Sequence, residues 1–304
     1  MYDLIILGAG PAGLTAGIYA SRYKINHAII GSVFDGSVSK THLIENWPGE
    51  KSAKGADLIV KFYDHAKGLG SEIMQEEVVE VNRNNSIFIV KTNLNKSYET
   101  KTILIAFGTK HRKLNVSGEK KFLGRGVSYC AICDGAFFKD KTVAVVGGSN
   151  SAAMAAEMLS DYANKVYIIY RKELMRCEPV ILERLEKDAK IEIIYNTNVT
   201  KVVGDKKVEF VEIDKKYNNN KKIKIDGLFI EVGAVPSIDL IKKLGVEIDK
   251  GGSIVITNDS ATNIKGIYAA GDITNGSNGL RQIVTAVSEG AIAATSIYGY
   301  LKNL

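Results

Sequence analysis

Apolar residues along this chain fall into short unbroken runs separated by longer amphipathic stretches. Leu4–Leu7, His27–Ile30, Thr102–Ala106, Val143–Val146, Val166–Tyr170 and Asp226–Val232 are too short for helices. Such runs predict strands covered on both faces. Leu14–Arg22, Ala56–Leu69, Ala153–Ser160 and Gln282–Leu301 carry apolar residues at helical spacing and predict helices packed on those strands. Alternation over Glu77–Leu94, around a polar Asn82–Asn85, predicts a hairpin. Further strands and hairpins are expected over Ile191–Lys207 and Val208–Ile225. The latter has a solvated tip at Asn218-Asn219-Asn220, flanked by Lys215-Lys216 and Lys221-Lys222. Strands that alternate with helices predict an α/β fold.

One strand–turn–helix pattern occurs twice. Gly8-Ala9-Gly10-Pro11-Ala12-Gly13 follows the first apolar run directly and opens a helix. In this βαβ setting the first glycine permits the turn and the second lets backbone approach a diphosphate. The third lets helix and strand pack closely, and the helix amino end faces the phosphate charge. Gly147-Gly148-Ser149-Asn150-Ser151-Ala152 repeats the arrangement after Val143–Val146. The duplication predicts two Rossmann-like, three-layer nucleotide-binding domains. Two features depart from the pattern. Gly31 stands where an acid often binds the adenine ribose, with Asp35 a little beyond. Ser149 stands where the close-approach glycine belongs, so its side chain must find room beside a phosphate. At the end of the strand after the second turn, Arg171, Lys172 and Arg176 suit a 2′-phosphate, hence NADP rather than NAD. Gly266–Asp272 predicts a strand ending in Gly271-Asp272, at the sheet edge where α/β folds bind ligands. Glu45-Asn46-Trp47-Pro48-Gly49 predicts a turn, its tryptophan capping the core.

Composition removes several classes. The chain has 304 residues, 45% hydrophobic and 24% charged, ordinary values for two globular domains. No apolar run is long enough to span a bilayer, and no secretory signal opens the chain. The net charge of +6 is mild, and no aromatic-interleaved basic patch suggests nucleic acid. Three cysteines do not make a disulfide framework, which points to the cytoplasm. There, Cys130-Ala131-Ile132-Cys133-Asp134-Gly135 is the most informative stretch of the chain. Two thiols two residues apart close into a small-ring disulfide and reopen, which suits electron transfer. Asp134 places a proton carrier beside the leaving thiolate. Half a zinc site is the competing reading, but only Cys177 and four scattered histidines are available as further ligands. Cys177 itself is expected to be a buried small hydrophobe.

Taken together, these motifs resemble the low-molecular-weight thioredoxin reductases over nearly the whole chain. The resemblance rests on Gly8–Gly13, Glu45–Gly49, Gly124–Gly135, Gly271-Asp272 and Arg281-Gln282. It implies a homodimer with a discontinuous FAD domain, residues 1–114 and 238–304, and an inserted pyridine-nucleotide and CxxC domain, residues 115–237. The hinges would lie near Leu114 and Ser237. The implied FAD set is Gly8, Gly10, Pro11, Ala12, Gly13, Asn46, Gly108, Gly271, Asp272, Arg281 and Gln282. The implied NADPH set is Gly147, Gly148, Ser151, Ala152, Arg171, Lys172 and Arg176. Catalysis would rest on Cys130, Cys133 and Asp134, with flavin electrons entering through Cys133. The dithiol would then reduce thioredoxin or a glutaredoxin-like protein, with Arg125 as a contact to that partner.

Several positions depart from the family pattern. A Gly-Gly-Gln-Leu segment is replaced by Asp35-Gly36-Ser37-Val38, and His-Arg-Arg by Tyr170-Arg171-Lys172. An acidic pair is replaced by Met154 and Ala155. With Ser149, these bear on the electron donor. NADPH is favoured by the basic trio, with ferredoxin or a deazaflavin as the alternative donor. A flavin reductase with incidental thiols, or a redox-responsive flavin-binding module, is a more distant reading.

Overall fold

The computed structural model describes all 304 residues. The chain divides into two compact units, Met1–Lys110 with Val235–Leu304, and His111–Ala234. Both are α/β.

In the first unit a seven-stranded sheet runs in the order Glu72–Met74, His27–Ile30, Tyr2–Leu7, Ser97–Ile105, Ile87–Thr92, Val78–Asn84. The first four are parallel, and the last two join as an antiparallel meander. Ser97–Ile105 is longer than its apolar run predicted. Its polar first half pairs with the meander, while its buried second half pairs with Tyr2–Leu7 and with Ile267–Ala269. Helices Pro11–Arg22, Gly55–Gly68 and Ile283–Leu301 supply the covering layer, and the first and last of them pack together. Gly290 makes that approach possible, since a Cβ there would sit 2.2 Å from the Ala12 carbonyl oxygen. The hairpin predicted around Asn82–Asn85 turns one step later. Asn82–Asn84 continue the strand, and Asn85 alone takes positive φ (55°), a conformation asparagine tolerates.

The second unit repeats the plan with a five-stranded, all-parallel sheet. Its order is Ile191–Ile194, Lys165–Ile169, Thr142–Val146, Gly227–Ile230, Val127–Ser128. Helix Asn150–Ser160 covers one face, over Val143, Val145 and Phe229. The antiparallel sheet Val199–Gly204, Val208–Tyr217, Asn220–Lys224 contributes to the other core, with Leu228 and Ile230. Asn218 and Asn219, both at positive φ, form the predicted hairpin tip. Helix Pro179–Lys187 was not anticipated, although its signals are present: proline in the first turn, Arg184 and Lys187 in the last. Only Ile181 and Leu185 of it are buried, a stripe too narrow to stand out in a sequence rich in charge. The two nucleotide-turn helices begin about one turn earlier than predicted, at Pro11 and Asn150, because helical geometry starts inside the glycine motifs.

Candidate active site

The first glycine turn is set by close approach. A Cβ on Gly13 would lie 1.9 Å from the Gly8 carbonyl oxygen, so the helix rests on the turn at a distance only glycine permits. Apart from Gly10 and its own chain neighbours, no protein atom lies within 4 Å of the position a Gly10 Cβ would take. The helix behind it has Pro11 at its start, no acid in its first turn and no side-chain cap. Free first-turn amides, the positive end of the helix and an open approach suit the diphosphate of a dinucleotide such as FAD. Gly108 lies two residues beyond Ala106, the residue against which Gly8 packs.

The Gly271-Asp272 turn reaches the same place. Gly271 lies against Ala12, where a Cβ would sit 3.0 Å from that of the alanine. The turn is held by Glu289, a buried acid the sequence reading did not single out. Its carboxylate accepts from Gly271 N (2.8 Å), Thr274 Oγ1 (2.8 Å) and Ser277 Oγ (2.6 Å). Burial raises the Asp272 carboxyl above the ordinary range, opposed by Arg281 and reinforced by Glu289. Arg281 also donates to Ser253 Oγ at 3.3 Å. Asn46 Nδ2 donates to Gln282 Oε1 at 3.1 Å, joining the Glu45–Gly49 turn to the start of the last helix. Trp47, half-buried, packs on Phe62 with ring centroids 5.3 Å apart. Asp35 is exposed, and its loop closes on itself through Ser39 and Thr41.

The second turn is built alike. Gly147 has φ +151°, and a Cβ there would meet the Glu231 carbonyl oxygen at 2.2 Å. Ser149 is extended (φ −103°, ψ −179°) and makes no side-chain cap, and no acid stands in the first turn of Asn150–Ser160. The helix amino end is again free for phosphate, so the backbone fits a second dinucleotide despite Ser149. Tyr170, the residue replacing the family's histidine, is buried with its ring flat against Gly148. Arg176 donates Nε to the Tyr170 hydroxyl (3.1 Å) and its backbone N–H to Gly148 O (2.6 Å). All three members of the basic trio are exposed, and Arg176 is the one hydrogen-bonded to the turn and to Tyr170. Ala155, one of the two residues replacing the acidic pair, is buried in the core beside half-buried Met154. Asn150 pairs with Glu178, closing the loop that carries Cys177. Cys177 is half-buried rather than buried, and burial pushes its thiol up.

At the carboxyl edge of the same five-stranded sheet lie the redox residues. Cys130 and Cys133 are disulfide-bonded, with Cα atoms 5.3 Å apart. Cys130 caps the short helix Ala131–Asp134, and its Sγ accepts from Cys133 N at 3.2 Å. Ser128 Oγ accepts from Cys130 N at 2.9 Å, fixing the approach to that helix. Cys133 is exposed and Cys130 half-buried, so the bond is open to a protein partner. Ile132 and Phe137, the latter 81% exposed, project beside it. Asp134 is half-buried within the same turn.

Two further acids of this unit escaped the sequence reading. Glu119 is buried and accepts from Leu114 N (2.8 Å), Asn115 N (2.6 Å) and the Tyr129 hydroxyl. Burial and that carboxylate drive the Tyr129 phenol well above its usual range. Glu231 ends the strand Gly227–Ile230 beside Gly147, and burial raises its carboxyl to about 8. Its one sequence signal is an acid inside the apolar run Asp226–Val232.

Residues 2–290 match the family model described as pyridine nucleotide-disulphide oxidoreductase. A thioredoxin reductase of Listeria innocua is 40% identical over 100% of this chain and 95% of its own length. One of Bacillus subtilis is 38% identical over 100% and 96%. The crystal structure of Lactococcus lactis thioredoxin reductase superposes with a TM-score of 0.95 at 35% identity, covering 100% of both chains.

Proposed function

The chain belongs to the pyridine nucleotide-disulphide oxidoreductase family and groups with its thioredoxin reductases, and on that premise we propose how its own residues divide the work. It is a thioredoxin-disulfide reductase that uses FAD and NADPH. Ferredoxin or a deazaflavin as donor is not favoured by these relatives. The observation that carries the reading is the Cys130–Cys133 disulfide, standing at a sheet edge beside a dinucleotide turn.

The unit containing both chain ends is the FAD domain, and the unit His111–Ala234 binds NADPH and carries the disulfide. Gly8, Gly10 and Gly13 would hold the FAD diphosphate, with Pro11, Ala12 and Gly108 around it. Asn46, Gly271, Asp272, Arg281 and Gln282 would line the remainder. Gly147, Gly148, Ser151 and Ala152 would hold the NADPH diphosphate, and Arg171, Lys172 and Arg176 its 2′-phosphate. FAD held by the first set of residues would supply the two-electron chemistry that links NADPH to the disulfide. Asp134 protonates the thiolate released as the Cys130–Cys133 bond opens. One thiolate of the pair then attacks the thioredoxin disulfide. The second thiol resolves the mixed disulfide, so thioredoxin gains two thiols as Cys130–Cys133 closes again. Exposed Ile132 and Phe137 beside the disulfide support docking of thioredoxin there, with Arg125 at its margin.

A cytoplasmic homodimer is part of this proposal, supported by the sparse cysteine usage and the family resemblance. No helix is long and apolar enough to cross a membrane.

Anaerobic addition of NADPH to the purified protein, with dithionite as control, tests the donor. Prompt bleaching of the flavin absorbance, reversed by oxidised thioredoxin, is expected. Bleaching by dithionite but not by NADPH would sink the assignment of the second nucleotide site.

A further inference from the structure

Ser128 stands two residues before Cys130 on the edge strand Val127–Ser128, and the mechanism above gives it no task. Its register is fixed, with Val127 paired to Leu228 and Ser128 to Phe229. The residue is buried, and its hydroxyl is turned toward the chain that follows. Ser128 Oγ accepts from Cys130 N at 2.9 Å and donates to Cys130 O at 3.2 Å. One hydroxyl therefore holds both backbone polar groups of a redox cysteine. The same carbonyl accepts from Asp134 N at 3.2 Å, which opens the helix Ala131–Asp134. Tyr129, lying between the two, is anchored through its own hydroxyl to buried Glu119.

Cys133 is held differently. It is exposed, the third residue of a four-residue helix, and its N–H donates to Cys130 Sγ at 3.2 Å. The disulfide thus joins a cysteine clamped to the sheet edge to one carried on a short exposed turn. Neither sulfur takes part in the Ser128 clamp, so nothing in it depends on the S–S bond. Bringing two thiols together costs conformational freedom, and the cost is smaller where one of them is already fixed.

We propose that Ser128 is a positioning residue for the dithiol reaction: its clamp on the Cys130 backbone keeps the two thiols close after reduction and so makes the dithiol a stronger reductant. This rests on Cys130–Cys133 being the pair that reduces thioredoxin. Closure of the pair forms one S–S bond and releases two electrons and two protons. The partner's disulfide takes up both as its own S–S bond breaks into two thiols. Without the hydroxyl, Cys130 is freer in the reduced protein, closure costs more, and the balance moves toward the dithiol.

The test is equilibration of the holoenzyme with reduced and oxidised dithiothreitol in varied ratio at pH 7. Acid quenching, alkylation of the unfolded chain and mass measurement then count free thiols, with Cys177 labelled in every sample. Ser128→Ala should lower the equilibrium constant for closing Cys130–Cys133 about tenfold. Ser128→Thr keeps the hydroxyl and should keep the wild-type constant. A residue that serves only the strand would change unfolding and leave this constant alone. An equal constant in wild type and Ser128→Ala, or an equal loss in Ser128→Thr, would overturn the proposal. Hydrogen exchange at Cys130 N in the wild type decides the matter even if the variants do not fold. Protection should survive reduction, and its loss on reduction would overturn the clamp. Reduced wild type that thioredoxin disulfide fails to reoxidise would instead overturn the role of the pair itself, whatever the constants.

Discussion

The hydroxyl of Tyr129, one residue before the redox cysteine Cys130, donates a hydrogen bond to the buried carboxylate of Glu119. The same carboxylate accepts the backbone amides of Leu114 and Asn115, where the chain enters the second unit. One acid thus fixes both the entry segment and the base of the redox helix. Removing the Tyr129 hydroxyl deletes one charge-assisted bond, and removing Glu119 also strands the two amides. Tyr129→Phe should destabilise the unit by about 1–2 kcal/mol and Glu119→Ala by about 3 kcal/mol or more. Hydrogen exchange at Leu114 and Asn115 separates the two: Glu119→Ala should lose protection there, while Tyr129→Phe should largely keep it.

Cys130→Ser and Cys133→Ser should each lose thioredoxin reduction by about a thousandfold or more, because exchange needs both thiols. Bleaching of the flavin by NADPH should persist in both. Retained thioredoxin turnover in either would remove the dithiol from the pathway.

Phe137 stands 81% exposed three residues past the redox helix, a poor place for a phenyl ring unless a partner covers it. Phe137→Ala should raise KM for thioredoxin about tenfold with little change in kcat, the loss of one aromatic contact. Steady-state kinetics with thioredoxin as the varied substrate measures this. An unchanged KM would move the docking surface elsewhere.

Glu289 receives three hydrogen bonds from the Gly271–Ser277 turn while buried in the last helix. Glu289→Ala should release the turn that carries Asp272 and weaken FAD binding about tenfold or more. Flavin retained after dialysis against chaotropic salt, measured by absorbance ratio, provides the readout. Full retention would show that the turn stands without it.

Glu231 also makes a statement about stability and pH. Its folded value of about 8 lies above that of an unfolded-chain glutamate, 4.5, so folding takes up a proton between those values. The linked stability is complete below pH 4.5, declines as pH rises through the interval and is gone above about 8. Glu231→Gln removes the dependence, and its advantage over wild type should grow from pH 6 to pH 9, on the order of 3 kcal/mol. Denaturant unfolding at the two pH values tests it. A constant difference between the proteins would contradict the burial of this group.

Much of this molecule was legible in its sequence because the chemistry is local. The turns Gly8–Gly13 and Gly147–Ala152, and the pair Cys130–Cys133, are contiguous spacings. Backbone geometry within a few residues decides what they do, and the apolar runs around them define strand and helix. Even the substitutions at Ser149 and Met154-Ala155 were visible, though not their outcome. That Ser149 stays extended with its helix end free, and that Ala155 turns into the core, required the packed structure.

What only the tertiary structure decided are meetings across long sequence separations. Glu119, Glu231 and Glu289 read as three acids among 34. Solvent exposure is the default for glutamate, and nothing in the neighbouring residues announces an exception. Strand order brings Glu231 between Gly147 and the Cys130 segment, and helix packing brings Glu289 under Gly271. Burial changes what these carboxyls are, turning one into a weak acid and two into anchors for backbone. A low-dielectric environment is a property of everything packed around a residue, so it appears only when the chain has folded.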